Sequence, residues 1–87
     1  MNPTQLSIKK THQEHLEQFM HVDIRRQSNG AQVTSGSYSR QDLLEYLQDL
    51  EYHDNDLSGT IFHLNGSITI QYSNQRGVIY TGTAKLI

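Results

Sequence analysis

One stretch of this chain has the pattern of a long amphipathic helix, and it limits the folds open to the rest. Ser39 followed by Asp42 forms a capping box, which satisfies free amide groups at a helix start and places a carboxylate at the positive end of the dipole. Apolar side chains then recur at spacings of three and four residues: Leu43, Tyr46, Leu47 and Leu50. We therefore predict that the stretch from Ser39 to Asp56 holds the one long helix, with this stripe buried.

Turn signals on both sides of the helix predict β-hairpins. Asn29-Gly30 and Asn65-Gly66 are typical of type I′ turns, while Asn74–Gly77 suits a type I turn closed by a glycine bulge. Apolar and polar residues alternate between these turns, as in strands with one buried face. The predicted fold is α+β, with the order β-β-α-β-β-β. It has a five-stranded, mainly antiparallel sheet and the helix packed on one face.

The first hairpin also predicts a register. A two-residue loop at Asn29-Gly30 sets Arg26 opposite Val33, so that Val33 shares a buried face with Val22. The returning strand is expected to end near Ser35, because Gly36 interrupts it before the helix.

The second hairpin predicts two misplaced apolar residues. A two-residue loop at Asn65-Gly66 sets Ile61 opposite Ile70, so that both face the core. Phe62 and Leu64 then project from the polar face. We interpret them either as covered by the N-terminal segment or as an interface with a partner or a second copy of the chain.

The length and the absence of cysteine bound the class of protein. We expect 87 residues to form a single domain, with residues 1–15 as a flexible or edge segment and a short helix, turn or strand near residues 12–18. A chain with no cysteine has no disulfide framework and no thiol nucleophile, which suits a cytoplasmic setting. We find no signal peptide and no membrane span of about 20 apolar residues, so no membrane association is expected.

Charge is distributed unevenly. Between residues 40 and 56, six carboxylates face one arginine, whereas the remainder holds three carboxylates and six bases. Acidic residues at the carboxyl end of a helix meet the negative end of its dipole, which costs stability. We therefore predict a partner-binding surface here, formed by Asp42, Glu45, Asp49, Glu51, Tyr52, Asp54 and Asp56.

The loop after the helix resembles the first half of an EF-hand calcium loop. Asp54, Asp56 and Ser58 match the first three ligand positions, and Gly59 matches the position of the sharp turn. Asn65 stands where an EF-hand has its bidentate glutamate. We therefore interpret the loop as a polar helix-to-strand turn and expect no metal and no cofactor. The weaker alternative, which the resemblance implies, is a calcium site no tighter than about 10⁻⁴ M.

We interpret the histidines as surface polar residues and give the basic doublets a minor role. His12 and His15 share a helix face but lack a third metal ligand, and His63 falls on the apolar face by the predicted register. The doublets Lys9-Lys10 and Arg25-Arg26 offer a thin footprint for nucleic acid. An isoelectric point near 6.2 makes nucleic-acid binding the weaker alternative.

No nucleophile motif, nucleotide-binding loop or paired-carboxylate arrangement is visible, so we do not expect an enzyme. The leading hypothesis is a non-catalytic protein-binding module that uses its acidic helix on a basic partner surface. Small bacterial and phage inhibitors, such as anti-CRISPR or immunity proteins, are of this general kind. The alternatives are a homodimeric structural or regulatory domain, built through Phe62 and Leu64 or an exposed strand edge, and a weak nucleic-acid-binding protein.

Overall fold

The computed structural model describes residues 18–87, in which five strands and one helix follow the predicted order. The elements are β1 (Phe19–Arg26), β2 (Gln32–Ser39), α1 (Arg40–Tyr52), β3 (Ile61–Phe62), β4 (Ile68–Ser73) and β5 (Ile79–Leu86). The α+β prediction is confirmed. The proposed edge segment at residues 1–15 and the short helix at residues 12–18 lie outside the described residues, apart from Gln18, which is in neither a helix nor a strand.

The sheet is antiparallel throughout, with the strand order β2-β1-β5-β4-β3. The two hairpin strands β1 and β2 thus join the β3–β5 group through the β1–β5 ladder. Strands β2 and β3 form opposite edges of the sheet. The segment between them, which contains α1, therefore carries the chain from one edge to the other.

Helix α1 begins as the sequence predicts. The Asp42 amide donates to Ser39 Oγ at 3.1 Å, and Ser39 keeps an extended backbone. Leu43 and Leu47 are buried, while Leu50 is half-buried. The helix ends at Tyr52, before the end of the predicted stretch, because the chain turns through Asp54 at a φ of 65°.

One core lies between α1 and a single face of the sheet. The sheet contributes alternate residues from three strands, so each strand has one buried and one exposed side. The buried residues are Met20, Val22, Ile24, Leu43, Leu47, Ile68, Ile70, Tyr72 and Ala84. Tyr80, partly buried, stacks on Tyr72 with their ring centroids 4.9 Å apart.

The register of the first hairpin differs from the prediction. Ile24 lies opposite Thr34, and the ladder shifts between Ile24 and Arg25, so Thr34 faces the helix and Val33 is 46% exposed. The turn closes with the Arg26 amide donating to the Ala31 carbonyl at 2.9 Å, which leaves four residues in the loop. The prediction that Val33 belongs to the core is therefore wrong.

The second strand of this hairpin, β2, is longer than predicted. Strand β2 continues through Gly36, which pairs with Val22, and runs directly into the helix cap at Ser39. Gly36 adopts a φ of 143°, a conformation that glycine accepts without a side-chain clash. The expected interruption at Gly36 therefore does not end the strand.

The β3–β4 hairpin also differs by one residue. Ile61 lies opposite Thr69 and Phe62 opposite Ile68, whereas Ile70 was the predicted partner of Ile61. The loop has three residues, because the His63 amide donates to the Ser67 carbonyl at 2.9 Å. Directly opposite residues share a face of the sheet, so Phe62 is on the side of α1 and Ile61 is on the open side.

Candidate functional site

The exposed side of α1 carries a row of four polar residues, three of which are acidic. Its members recur at spacings of three and four, on the side of the helix away from the buried Leu43 and Leu47. We call this row the acidic stripe, and it consists of Asp42, Glu45, Asp49 and Tyr52. All four side chains are exposed, and Tyr52 is 83% accessible to solvent.

The acidic stripe is poorly neutralised within the described part of the chain. Asp49 has one ion-pair partner there, with its Oδ1 3.6 Å from Nδ1 of His53, an exposed pair that depends on protonation of the imidazole. In residues 18–87, neither Asp42 nor Glu45 has a basic side chain within salt-bridge distance. Carboxylates spaced three and four residues apart on a helix repel one another, so the stripe lowers the stability of α1.

The end of α1 is capped by its own backbone and by a histidine. The His53 amide donates to the Asp49 carbonyl at 3.1 Å, and its ring Nδ1 lies 2.9 Å from the same oxygen. No basic residue stands in the last turn of the helix. Glu51 and Asp49 therefore sit at the negative end of the dipole without a permanent positive charge beside them.

A groove runs between α1 and the edge strand β3. It encloses about 450 Å³. Its apolar wall is formed by Leu44, Leu47, Leu57 and Phe62, and its polar rim by Gln48, Glu51 and Thr60. Phe62 is 55% exposed in this wall. The groove adjoins the acidic stripe, because Gln48 and Glu51 belong to the same helix.

Backbone pairing holds the loop that closes the groove. Asp56 and Ser73 exchange two backbone hydrogen bonds, of 2.9 and 3.0 Å, which tie the loop to β4. The Thr60 hydroxyl donates to the Gln71 carbonyl at 3.1 Å. These contacts fix Leu57 and Thr60 on either side of a short turn, so the groove is preformed.

The edge strand beside the groove has free backbone groups in the described part of the chain. His63 and Ser67 form a hydrogen-bonded pair, and such pairs alternate with non-hydrogen-bonded pairs in an antiparallel ladder. Phe62 and Ile68 are therefore a non-hydrogen-bonded pair. The N–H and C=O of Phe62 point away from β4, toward the outside of the sheet.

The loop that resembles a calcium site is organised by its own hydrogen bonds. Asp56 Oδ1 accepts from the Ser58 amide at 2.9 Å. The Ser58 amide N–H, and then its hydroxyl, hold the pKa of Asp56 below its ordinary value of 3.8. Within residues 18–87, no three His, Asp or Glu side chains are grouped so that they could hold a metal ion, and Asp54 contributes to the helix-ending turn instead.

The other predicted site residues are scattered. Leu64 lies fully exposed in the β3–β4 loop, and the lining of the groove does not include it. The prediction that it shares the polar sheet face with Phe62 is wrong, because the three-residue loop moves Phe62 to the helix side. His63 was predicted on the apolar face, but it is exposed and hydrogen-bonded to Thr69 Oγ1 at 2.6 Å, on the open face.

The basic doublets do not form one patch in the described residues. Arg25 and Arg26 are neighbours in β1, so their side chains leave opposite faces of the sheet. Arg25 forms an ion pair with Asp23 at 3.3 Å and donates to the Gly30 carbonyl. Lys9, Lys10, His12 and His15 lie outside the described residues.

Several residues of the groove were not identified from the sequence. Leu44 stood beside the buried stripe in the pattern, and Leu57 lay between Asp56 and Ser58 of the calcium-like loop. Their signal was weak, because the groove exists only when Phe62 faces the helix. That orientation depends on the loop length of the β3–β4 hairpin, which the Asn65-Gly66 dipeptide alone does not fix.

Helix α1, the one helix among residues 18–87, lacks the length and apolar character needed to cross a membrane. No protein-family model, curated protein or solved structure matches this chain. The element order and the sheet topology define the class of the protein, which is a small α+β domain with an antiparallel sheet covered by a helix on one side.

Proposed function

We propose that this chain is a non-catalytic protein-binding module whose acidic stripe meets a basic surface on a partner protein. The placement of charge in the structure supports this proposal. Six of the seven carboxylate side chains in residues 18–87 lie on α1 and the loop that follows it, and all six are exposed. Because this arrangement destabilises the helix, we attribute it to binding and not to folding.

Complementary charge gives such a module speed and selectivity. A negative stripe accelerates encounter with a positive surface and disfavours acidic competitors, and both effects weaken as salt is added. A basic surface on a partner is commonly one that receives nucleic acid. We therefore propose an inhibitor of the anti-CRISPR or immunity type, which acts by occupying a surface of this kind.

The test is a comparison of two variants that raise the net charge equally. E45Q/D49N removes two charges from the acidic stripe, whereas S37K/T83K adds two positive charges to exposed positions on the open sheet face. Tagged wild type and both variants are used to capture proteins from the native host, and quantitative mass spectrometry measures what each one retains. We expect a protein with a basic surface to be retained equally by wild type and S37K/T83K, and in a much smaller amount by E45Q/D49N. Equal capture by all three would contradict the proposal.

A second candidate is a homodimer formed through the free edge of β2. This eight-residue strand has no charged side chain and no proline, which are the usual protections of an edge. Gln18 accepts a hydrogen bond from the Arg40 amide, so the alternation turns the backbone groups of Ser35 and Ser37 outward. Light scattering over a range of concentrations tests this candidate. The S35K variant should be monomeric if wild type dimerises, and a monomeric wild type excludes the dimer.

A further inference from the structure

We propose that the groove between α1 and β3 binds an extended segment of the partner protein, with apolar side chains next to a lysine or arginine. This inference rests on the proposed function and names the chemistry that the partner must bring. It draws on three features of the described residues, which are the strand edge, the apolar wall and the charged rim.

The strand edge determines the conformation of the bound segment. The N–H and C=O of Phe62 point outward from the sheet, as derived from the hydrogen-bonded His63–Ser67 pair. A segment that adds to this edge gains backbone hydrogen bonds there. Strand addition of this kind draws its affinity from the main chain and its selectivity from pockets for alternate side chains.

The apolar wall determines what the bound segment must carry. In an added strand, every second side chain faces the same side of the sheet as α1. Those side chains enter the groove, whose volume of about 450 Å³ is ample for large apolar groups. Phe62 stays 55% exposed without such an occupant, and Leu44 is half-buried. Covering both side chains provides the hydrophobic part of the binding energy.

The charged rim determines the position of the basic residue. Glu51 is the one ionisable side chain among the residues that line the groove, and it is exposed. No basic side chain within residues 18–87 lies at salt-bridge distance from it. A lysine or arginine beside the apolar side chains of the segment would meet this carboxylate, and an acidic residue at that position would be repelled.

The experiment uses a phage-displayed library of short random peptides, selected on the full chain. We expect enriched peptides that combine apolar residues at alternate positions with an adjacent lysine or arginine. The matched variants are F62A and I61A, since these neighbouring side chains are 55% and 54% exposed but face opposite sides of the sheet. Synthesised peptides should bind F62A about tenfold more weakly than wild type, and I61A as tightly as wild type.

Reversing the charge of Glu51 is the second part of the experiment. Peptides should bind E51K about tenfold more weakly, and changing their basic residue to glutamate should restore binding to E51K. Circular dichroism confirms that each variant is folded. The inference is overturned if selection on wild type returns no binders, or if the binders do not distinguish F62A from I61A.

Two further outcomes separate this inference from the proposed function. A captured partner that needs the acidic stripe but tolerates F62A leaves the proposed function standing and overturns the groove assignment. The sequence Leu6 to Lys10 has the same chemistry as the expected peptides, with alternating apolar residues followed by two lysines. If the L6D/I8D variant binds library peptides and wild type does not, the groove serves this chain's own segment, and the inference is overturned.

Discussion

Phe62 lies directly opposite Ile68 in the β3–β4 ladder, and this pairing places its ring on the side of the sheet that α1 covers. Ile68 is buried in the core, whereas Phe62, at the edge, is 55% exposed. The pair thus marks the boundary between the core and the groove. It also brings together two features that are separate in the sequence, the acidic helix and an apolar residue of the edge strand.

The helix cap should contribute measurably to stability. In S39A the Asp42 amide loses its side-chain acceptor at 3.1 Å. We expect the free energy of unfolding to fall by about 1 kcal/mol, the usual cost of losing a serine cap. Urea denaturation measures this change. S37A, which replaces an exposed serine of the same strand, serves as the control and should change stability by less than about 0.5 kcal/mol.

Gly82 is required by the close approach of two strands. A Cβ at this position would clash with the Asp23 carbonyl oxygen and lie 2.7 Å from the Ile24 Cα, both backbone atoms that cannot move aside cheaply. We expect G82A to lose at least about 2 kcal/mol of stability, or to fail to fold. G77N is the control, because Gly77 has a φ of 78° in open space and asparagine tolerates that conformation. A stable G82A would show that the β1–β5 ladder is spaced differently.

The charges of α1 should act with opposite signs at its two ends. Replacing Glu51 near the carboxyl end with lysine removes an unfavourable interaction with the dipole, so E51K should stabilise the fold by about 0.3–1 kcal/mol. The same change at Asp42, in the first turn, should destabilise it by a similar amount. Thermal denaturation at low and high salt measures both effects, which should shrink as salt is added. Destabilisation by E51K would show that Glu51 has a structural role.

Acid should weaken the turn after α1 through Asp56. Its pKa is lowered by the Ser58 amide and hydroxyl, so the folded state favours the carboxylate. The stabilising contribution is therefore present above the ordinary value of 3.8 and is lost as the pH falls through the lower pKa of the folded state. An NMR titration of the Asp56 carboxyl measures this pKa, and D56N should lack the corresponding loss of stability. A folded-state pKa at or above 3.8 would contradict the assignment.

The turns show how much of the fold can be derived from sequence. The β4–β5 turn was predicted correctly: Asn74 and Gly77 form the expected type I turn with a glycine bulge, and this turn sets Tyr72 opposite Tyr80. The start of the helix and its buried face were predicted equally well. Its cap and its buried leucines are local features with a fixed periodicity, so they need no knowledge of the tertiary structure.

The two Asn-Gly turns were assigned the wrong loop length. A type I′ turn needs positive φ at both residues, but among the described non-glycine residues only Asp54 has positive φ. Asn29 and Asn65 instead use their side chains, accepting from the Ala31 and Ser67 amides at 2.9 and 3.0 Å. Asparagine can either adopt a positive φ or accept a hydrogen bond through its side chain. The Asn-Gly dipeptide therefore does not determine the loop length.

That ambiguity is also why the groove could not be derived from sequence. A change of one residue in register moves every side chain of the strand to the other face, and with it Phe62. The acidic stripe, by contrast, depends only on helical periodicity, and its residues lie where the sequence predicts. The stripe is a local property of the chain, whereas the groove is a property of the assembled sheet.

The role of the acidic stripe is tested most directly by the salt dependence of binding between this chain and a partner captured by it. Dissociation constants are measured by calorimetry at increasing salt for wild type, E45Q/D49N and S37K/T83K. We expect the wild-type and S37K/T83K affinities to be similar and to fall steeply with salt, while E45Q/D49N binds about tenfold more weakly at low salt and responds less to salt. Equal affinities and equal salt dependence for wild type and E45Q/D49N would contradict the claim that the acidic stripe of α1 is the binding surface.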